Sequence, residues 1–424
     1  MPQPRENARS KTGEILRDPV IQRLTVARSF VSLANGMLPV ALSFTILGLL
    51  HSATDLGFIL GAETLTMVVA ILFAGVLADR VPRKWLLVLS DALFGLSMVA
   101  SGVFAILSIR HVTYYLLAAV LIGFADALFV PAFEGWAQQV IPVQQRQQAS
   151  AVRSIYRNIG AIAGPFLAAL LVASISAPWA LLVAGALPLV GGAIFLNLPT
   201  GANTGESTTA SLVAELRSGW GAFRSRSWIW SVDLQFALWH VVIWAPLMVL
   251  GPVLAEHYYH GATSWALIWA GVGVGGVIGG LVAFQYHPKY PVRTGTIAMV
   301  GLTPVMILLA LHANIWLTSA AAILGGAGLE LFGALWSYSF QTHVPADVIS
   351  KVASFDFLAS VAFLPVGLAI VVPLSQLISV KGVFLLGAVY LVLSAILVLL
   401  VPSVRRLGRT PPEQLIHTDD PGAT

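Results

Sequence analysis

Residues 56–84 read LGFILGAETLTMVVAILFAGVLADRVPRK, an apolar stretch that ends in a charged turn. The part from 56 to 78 carries a single charge, Glu63, and is long enough to cross a bilayer as a helix, which needs about 20 apolar residues. The basic side chains that follow are typical of the cytoplasmic end of such a helix. This stretch therefore predicts a membrane helix that leaves the bilayer on the cytoplasmic side.

The same pattern recurs along the whole chain. Of the 424 residues, 57% are hydrophobic and only 10% are charged, whereas a soluble domain carries about 25% charged residues. The predicted fold class is an all-α membrane protein, with twelve transmembrane helices in two six-helix, pseudo-symmetric bundles. The predicted spans are 26–50, 56–78, 84–108, 113–137, 150–173, 178–198, 228–254, 264–286, 293–312, 315–340, 351–376 and 382–401.

The basic residues of the predicted loops fall almost entirely on one side of the membrane. The other side receives essentially Arg110 and Lys381. Because Lys and Arg favour cytoplasmic loops, we expect a multi-pass protein of a bacterial inner membrane, with both termini in the cytoplasm. This bias also explains the net charge of +4, so the charge indicates no nucleic-acid partner.

The longest polar stretch divides the chain into two halves. We predict an N-terminal bundle at 1–198, a cytoplasmic linker at 199–227, a C-terminal bundle at 228–404 and a cytoplasmic tail at 405–424. Within the linker, apolar residues recur at near-helical spacing from Leu212 to Phe223. This spacing predicts an amphipathic helix at the membrane surface.

The two halves look like distant copies of each other. At one common offset, residues of the fourth and fifth spans coincide with residues of the tenth and eleventh spans, and internal repeats of this kind are typical of secondary transporters. The matching residues are Ala119, Leu121, Gly123, Leu128, Phe129, Gln138, Pro142 and Gly164, with Ala322, Leu324, Gly326, Leu331, Phe332, Gln341, Pro345 and Gly367.

The turn after the second span resembles the signature loop of the major facilitator superfamily. Residues 75–84 follow its pattern, Gly-x-Leu-Ala-Asp-Arg-x-Gly-Arg-Lys, except that Pro82 replaces the second glycine. The resemblance implies a gating motif in which charged side chains form a latch that breaks and re-forms. The alternative is that the basic residues are only topology anchors. The predicted gating residues are Gly75, Asp79, Arg80, Arg83 and Glu134.

A second resemblance lies in the fifth span. Gly160, Gly164 and Pro165 look like the antiporter motif of drug exporters, and residues 113–173 are most similar to the third family of drug and proton antiporters, which includes macrolide, multidrug and siderophore exporters. One departure is Ala119, where many proton-coupled exporters of other families carry an arginine. The alternative is a packing face of small residues with a proline kink. A similar face is predicted at Gly271, Gly275 and Gly279.

Three acids lie inside predicted spans, namely Glu63, Asp126 and Glu330. A charge at the centre of a membrane helix costs about 2.5–3.5 kcal/mol, so these acids must face a cavity or a partner. We predict that Glu330 and Asp126 exchange protons, and Glu63 is the third candidate for this role. The alternative is that each pairs with a buried cation or hydroxyl.

Other charges lie nearer the predicted ends of the spans. Among them, Asp233 and Asp356 are interpreted as interfacial pairs or gate contacts, and Arg28 and Asp91 have no assigned role.

The seventh and tenth spans combine aromatic and polar side chains. The family resemblance implies that these spans flank a central cavity, and such a wall suits bulky amphiphilic ligands. Each residue taken singly can equally be a packing residue. The predicted substrate-cavity residues are Gln235, Trp239, His240, Trp244 and Trp336.

These observations predict a secondary transporter that exports a hydrophobic or amphiphilic small molecule, such as a drug, macrolide or siderophore, by alternating access. The expected energy source is the proton gradient, without a cofactor or a metal site, in a monomer embedded in lipid. The alternatives within transport are an importer, a facilitator or a lysolipid flippase. A non-transporting sensor is disfavoured by the short tail. An enzyme is disfavoured because no metal cluster, nucleophile elbow or phosphate loop is found.

Overall fold

The structure is a computed structural model, and it describes residues 19–141, 146–200, 212–345 and 348–409. The regular elements in these ranges are helices. The α-helices are α1 (Pro19–Leu50), α2 (Ala53–Arg80), α3 (Arg83–Ile106), α4 (Val112–Val140), α5 (Arg146–Ser174), α6 (Ala177–Phe195), α7 (Leu212–Arg224), α8 (Ser227–Trp239), α9 (Ala245–Tyr258), α10 (Ala262–Gln285), α11 (Pro291–Met299), α12 (Thr303–Ala310), α13 (Ile315–His343), α14 (Ile349–Val361), α15 (Leu364–Leu400) and α16 (Pro402–Arg405).

The described residues form ten helical stretches that are long and apolar enough to cross a membrane. This number is consistent with twelve spans for two reasons. The fifth predicted span contributes only a shorter apolar helix, Ile162–Ser174, and the stretch Lys351–Leu400 covers both the eleventh and the twelfth predicted spans. The predicted class, an all-α multi-pass membrane protein, is confirmed.

The first compact unit comprises Met1–Ser207 and Ala255–Ala270. In it, α1 packs against α5 and α6, α2 packs against α4, and α3 packs against α4 and α6. Glycines allow close approach at these contacts; for example, a Cβ placed on Gly95 of α3 would lie 2.7 Å from the Leu189 side chain of α6. Small residues at helix contacts are the usual means of close packing in membranes.

The second compact unit comprises Thr208–Leu254 and Gly271–Thr424. Its main contacts join α11 to α13, α12 to α15, and α14 to both α7 and α8. The linker helix α7 is present as predicted, and it contacts α14 through Trp220, whose ring centroid lies 5.7 Å from that of Phe355. Arg217 and Arg224 of α7 are exposed, which agrees with an amphipathic helix.

Three departures from α-helix interrupt the spans of the second unit. A 3₁₀ segment, Val300–Leu302, joins α11 to α12. A π-helical segment, His240–Trp244, joins α8 to α9. Helix α15 is broken at Ser379, where φ is 66°, and this break falls between the predicted eleventh and twelfth spans. Because a positive φ is uncommon for a residue other than glycine, the break marks a turn between two spans.

Candidate functional sites

Glu63 of α2 and Asp126 of α4 are neighbours in the first unit. Gly123, one turn before Asp126, lets the two helices touch, because a Cβ placed on it would lie 2.9 Å from the carbonyl carbon of Glu63. The Asp126 carboxyl acts electrostatically on that of Glu63. Glu63 Oε2 is buried, and it has no hydrogen-bond partner among the described residues. The structure thus brings together two of the three predicted acids.

Glu330 lies in the second unit, on α13, and is half-buried. Its side chain lies beside α10, where a Cβ placed on Gly280 would be 3.9 Å from Glu330 Cγ. The absence of a side chain at Gly280 leaves room for the Glu330 side chain at this helix contact. A role for Glu330 in proton coupling stays a prediction.

The predicted gating motif falls largely on side chains outside the described part of the structure. Gly75, Asp79 and Arg80 belong to the end of α2 and Glu134 to α4, but their side chains are not among those described. Arg83 begins α3 and is half-buried. The latch itself therefore stays a prediction.

The basic turn beside this motif is anchored within the first unit. Lys84 Nζ donates to the carbonyl oxygens of Leu196 and Leu198, at 2.7 and 2.6 Å. These carbonyls lie at and just after the C-terminus of α6, where a lysine also interacts favourably with the helix dipole. The start of α3 is therefore tied to the end of α6.

Gly160, Gly164 and Pro165 of α5 are buried against α1. A Cβ placed on Gly164 would lie 2.6 Å from the Cα atom of Gly36, so the two backbones are in direct contact. This contact agrees with the interpretation of these residues as a packing face. Their role in antiport stays a prediction.

Four of the five predicted cavity residues belong to one aromatic group of the second unit. The rings of Trp239 and Trp244 stack with centroids 5.5 Å apart, and His240 meets Trp239 edge-on at 5.1 Å. Two phenylalanines, Phe236 and Phe332, continue the group to Trp336 of α13. The aromatic group is Phe236, Trp239, His240, Trp244, Phe332 and Trp336.

The aromatic group also contains polar atoms that can bind a ligand. The indole nitrogen of Trp239 is buried without a partner among the described residues, so it can donate to a ligand. His240 and Trp244 bound the π-helical segment, and such segments occur often at functional sites.

Gln235, the fifth predicted cavity residue, is buried on α8 and contacts the C-terminal part of α15. Its Nε2 donates to Ser394 Oγ at 3.0 Å, and Tyr390 donates to its backbone carbonyl at 2.6 Å. Its Oε1 is buried without a donor among the described residues. Contact with substrate stays a prediction for this residue.

Sequence reasoning missed the ion pair of Arg28 and Asp91. Both side chains are 2% exposed, and they join α1 to α3 in the first unit. The available signal was charge balance, since the first and third predicted spans each carry one unassigned charge and the two charges are opposite.

Sequence reasoning interpreted Asp233 and Asp356 as interfacial pairs or gate contacts, and it did not predict that they pair with each other. Asp233 of α8 is buried and lies within hydrogen-bonding reach of Asp356 of α14. Both residues fall inside stretches long enough to span a membrane. Ser360 Oγ donates to Asp233 Oδ1 at 3.2 Å, and Trp336 donates to Asp356. The signal that could have found them is that each is an acid inside an apolar stretch.

The helix arrangement and the charged turn can be compared with known families. The family model described as Major Facilitator Superfamily matches residues 24–362. The chain belongs to the major facilitator superfamily. The resemblance drawn from the turn at 75–84 is thereby confirmed, and the chain is a membrane transporter of a small molecule rather than an enzyme.

Several relatives that match nearly the whole chain are named as enterobactin exporters. The enterobactin exporter EntS of Salmonella typhi is 24% identical over 93% of this chain and 95% of its own length. Among solved structures, the nucleoside transporter NupG has a TM-score of 0.69 at 14% identity, covering 90% of this chain and 98% of its own. A bacterial homologue of the human lysosomal transporter Spinster has a TM-score of 0.70 at 15% identity, covering 92% and 97%. These structures share the fold of this member of the superfamily.

Proposed function

We propose that this protein is a proton-driven exporter of an amphiphilic small molecule, such as a siderophore, macrolide or drug, working by alternating access. The observation that carries the export direction is the similarity to enterobactin exporters, which extends over 93% of the chain. The residues 113–173, which resemble the drug and proton antiporters, support the same direction.

The buried acids support proton coupling. Glu63 Oε2 is buried without a donor among the described residues, and the charged group there that acts on the Glu63 carboxyl is another acid, Asp126. Because an ionised group in an apolar setting needs a partner, a proton is the simplest occupant of this site. We assign coupling to Glu330 and Asp126, with Glu63 in reserve. The acids of the first unit and Glu330 of the second unit each lie at a glycine-lined helix contact.

The substrate contacts are assigned to Gln235 and to the predicted aromatic residues Trp239, His240, Trp244 and Trp336. A wall of rings with a few buried polar atoms suits a ligand that is bulky and partly polar. The unpartnered atoms Trp239 Nε1 and Gln235 Oε1 supply one donor and one acceptor. The resulting specificity would favour a ligand with both aromatic surface and hydrogen-bonding groups, as a catecholate siderophore has.

The proposed arrangement in the cell follows from the loop charges. We propose a monomer in a bacterial inner membrane, with cytoplasmic termini. Its parts are bundles at 1–198 and 228–404, a cytoplasmic linker at 199–227 and a cytoplasmic tail at 405–424. The gating residues Gly75, Asp79, Arg80, Arg83 and Glu134, and the antiporter-like Gly160, Gly164 and Pro165, are proposed to control the exchange between two states. Lys84 Nζ donates to the Leu196 carbonyl at the end of α6, which fixes the start of α3 beside the gating residues.

Accumulation in proteoliposomes tests this proposal. Purified protein is reconstituted in vesicles with an acidic lumen, and enterobactin, a macrolide and a lipophilic dye are added outside as probes. An antiporter uses outward proton movement to accumulate at least one probe, and accumulation stops when an ionophore removes the pH difference. Accumulation no greater than in protein-free vesicles for all three probes, or accumulation that survives the ionophore, contradicts the proposal.

A further inference from the structure

We propose that Asp233 and Asp356 form a proton-binding carboxyl pair in the second unit, which holds one proton between the two side chains. The pair joins α8 to α14 and is separate from the acids assigned above. The proposal rests on the proposed proton coupling only for the part that the pair plays in transport.

Two carboxyl oxygens of the pair lack a hydrogen-bond donor among the described residues. Ser360 donates to Asp233 Oδ1 at 3.2 Å, and Trp336 donates to Asp356. One oxygen of each carboxyl, Asp233 Oδ2 and Asp356 Oδ1, is left buried without a donor among the described residues. Two ionised carboxylates have only acceptor atoms, so a hydrogen bond between them requires a proton on one of them.

Burial makes this proton necessary. Asp233 is 2% exposed, and although Asp356 as a residue is half-buried, its Oδ1 is buried, as is Asp233 Oδ2, so neither unpartnered oxygen is open to surface water. Two negative charges within hydrogen-bonding reach of each other would repel strongly, as in other carboxyl pairs that share one proton. The hydroxyl of Ser360 and the indole of Trp336 are neutral donors, and neither can cancel such a charge.

The other titratable side chains near the pair do not replace the proton. His240 makes hydrogen bonds to the backbone of Phe236 and Ser360 rather than to a carboxyl, and Tyr390 donates to the Gln235 carbonyl. Among the described residues, no positively charged group is a main electrostatic influence on Asp233 or Asp356. The charged or titratable residues on the elements packed around the pair are Arg217, Arg224, Arg226, Glu330, Tyr338, His343, Lys351, Lys381 and Arg405.

The position of the pair connects it to the aromatic group. Trp336 belongs to that group and also donates to Asp356. Ser360 contacts both Asp233, through its hydroxyl, and His240, through its backbone. When the proton leaves to water, two carboxylates remain, and their repulsion favours separation of α8 from α14. That movement would displace the π-helical segment His240–Trp244, which directly follows α8.

Infrared difference spectroscopy of the full-length protein in lipid vesicles, recorded across a pH titration, tests the pair without substrate or gradient. We expect a C=O stretching band of a protonated carboxyl whose frequency or titration midpoint changes in both Asp233→Asn and Asp356→Asn, because each variant leaves one buried acid without its carboxyl partner. Glu256→Gln, which removes an exposed acid of α9, should retain the band. A band that is the same in wild type and in both Asn variants would overturn the proposal.

Two milder variants keep the test decisive if an Asn variant does not fold. Ser360→Ala keeps both acids but removes the hydroxyl donor to Asp233, and Asp356→Glu keeps the carboxyl but lengthens its side chain. Each should shift the frequency or the titration midpoint of the band. If neither does, the pair is not the source of the band and the proposal fails.

A second measurement separates this inference from the proposed function. Hydrogen exchange of the peptide spanning α8 and the π-helical segment, corrected for intrinsic rates, should become faster at alkaline pH in wild type and not in Asp356→Asn. Equal protection at acidic and alkaline pH in wild type would contradict the link between the pair and this segment. If the spectroscopic results hold while no probe is accumulated in vesicles, the exporter assignment fails and the proton pair stands.

Discussion

Arg28 of α1 donates through Nη1 and Nη2 to the two carboxylate oxygens of Asp91 in α3, inside the first unit. Its guanidinium carbon also lies 5.1 Å from the ring centroids of both Phe129 and Phe195. The aromatic faces attract the cation, and the ion pair offsets the cost of burying two charges. The ion pair therefore joins α1 to α3 through one buried charge on each helix.

Removing one member of this pair should destabilise the protein strongly. Arg28→Gln leaves the Asp91 carboxylate buried without its partner, a situation that costs about 3–5 kcal/mol. Thermal unfolding in detergent measures the loss, with Arg23→Gln, at an exposed arginine of the same helix, as control. The double variant Arg28→Met/Asp91→Leu should recover most of the loss. If Arg28→Gln unfolds at the same temperature as Arg23→Gln, the pair does not stabilise this unit.

Two adjacent glycines of α10 should respond differently to the same substitution. A Cβ placed on Gly275 would lie 2.8 Å from the backbone nitrogen of Ala327, whereas one on Gly276 would meet nothing within 4 Å. Overpacking costs about 1–3 kcal/mol, so Gly275→Val should lower the unfolding temperature and Gly276→Val should leave it nearly unchanged. Equal unfolding temperatures for the two variants would contradict the close contact of α10 and α13.

The sequence was sufficient for features that repeat with a fixed period. Length and apolarity predicted the spans, and four-residue spacing predicted a tight helix contact at Gly271, Gly275 and Gly279, which the structure shows to be with α13. The weak internal repeat also has a structural counterpart, because Gly164 contacts α1 within the first unit and Gly367 contacts the π-helical segment within the second.

The sequence shows that certain buried charges need partners, but it does not determine which distant residues pair. Arg28 and Asp91 are 63 residues apart, and nothing in either helix alone indicates which helix faces it. The same holds for Asp233 and Asp356, whose contact depends on how α8 and α14 pack. The π-helical segment arises from one extra residue in a turn, which neither propensity nor periodicity predicts. These are the features on which the candidate sites depend.

Sidedness can be measured because the chain contains no cysteine. Ser207→Cys, in the linker, should resist an impermeant maleimide applied to intact cells and react after the cells are opened. Ser379→Cys, at the exposed break in α15, should react in intact cells. The two variants serve as controls for each other, and reversed labelling would overturn the proposed orientation of the protein.

The gating motif should affect turnover rather than folding. Asp79→Asn removes the charge that the proposed latch needs in one state of the transport cycle. We expect unchanged expression and unfolding temperature, with probe exchange in vesicles reduced at least about tenfold, which corresponds to about 1.4 kcal/mol on a rate. The matched control is Asp55→Asn, in the first turn of the same helix, which should exchange the probe normally. Near-normal turnover in Asp79→Asn would leave the motif with only a topological role.

The direction of proton movement driven by a substrate gradient tests proton-coupled export most directly. Proteoliposomes with a lumenal pH indicator and no initial pH difference receive an outside excess of a probe that the protein accumulates. An antiporter in either orientation moves protons out as the probe enters, so the lumen should become alkaline. This response should be absent in Glu330→Gln, which still exchanges probe across the membrane, and present in Glu256→Gln. Acidification of the lumen would indicate a symporter and no change a facilitator, and either result would contradict proton-driven export.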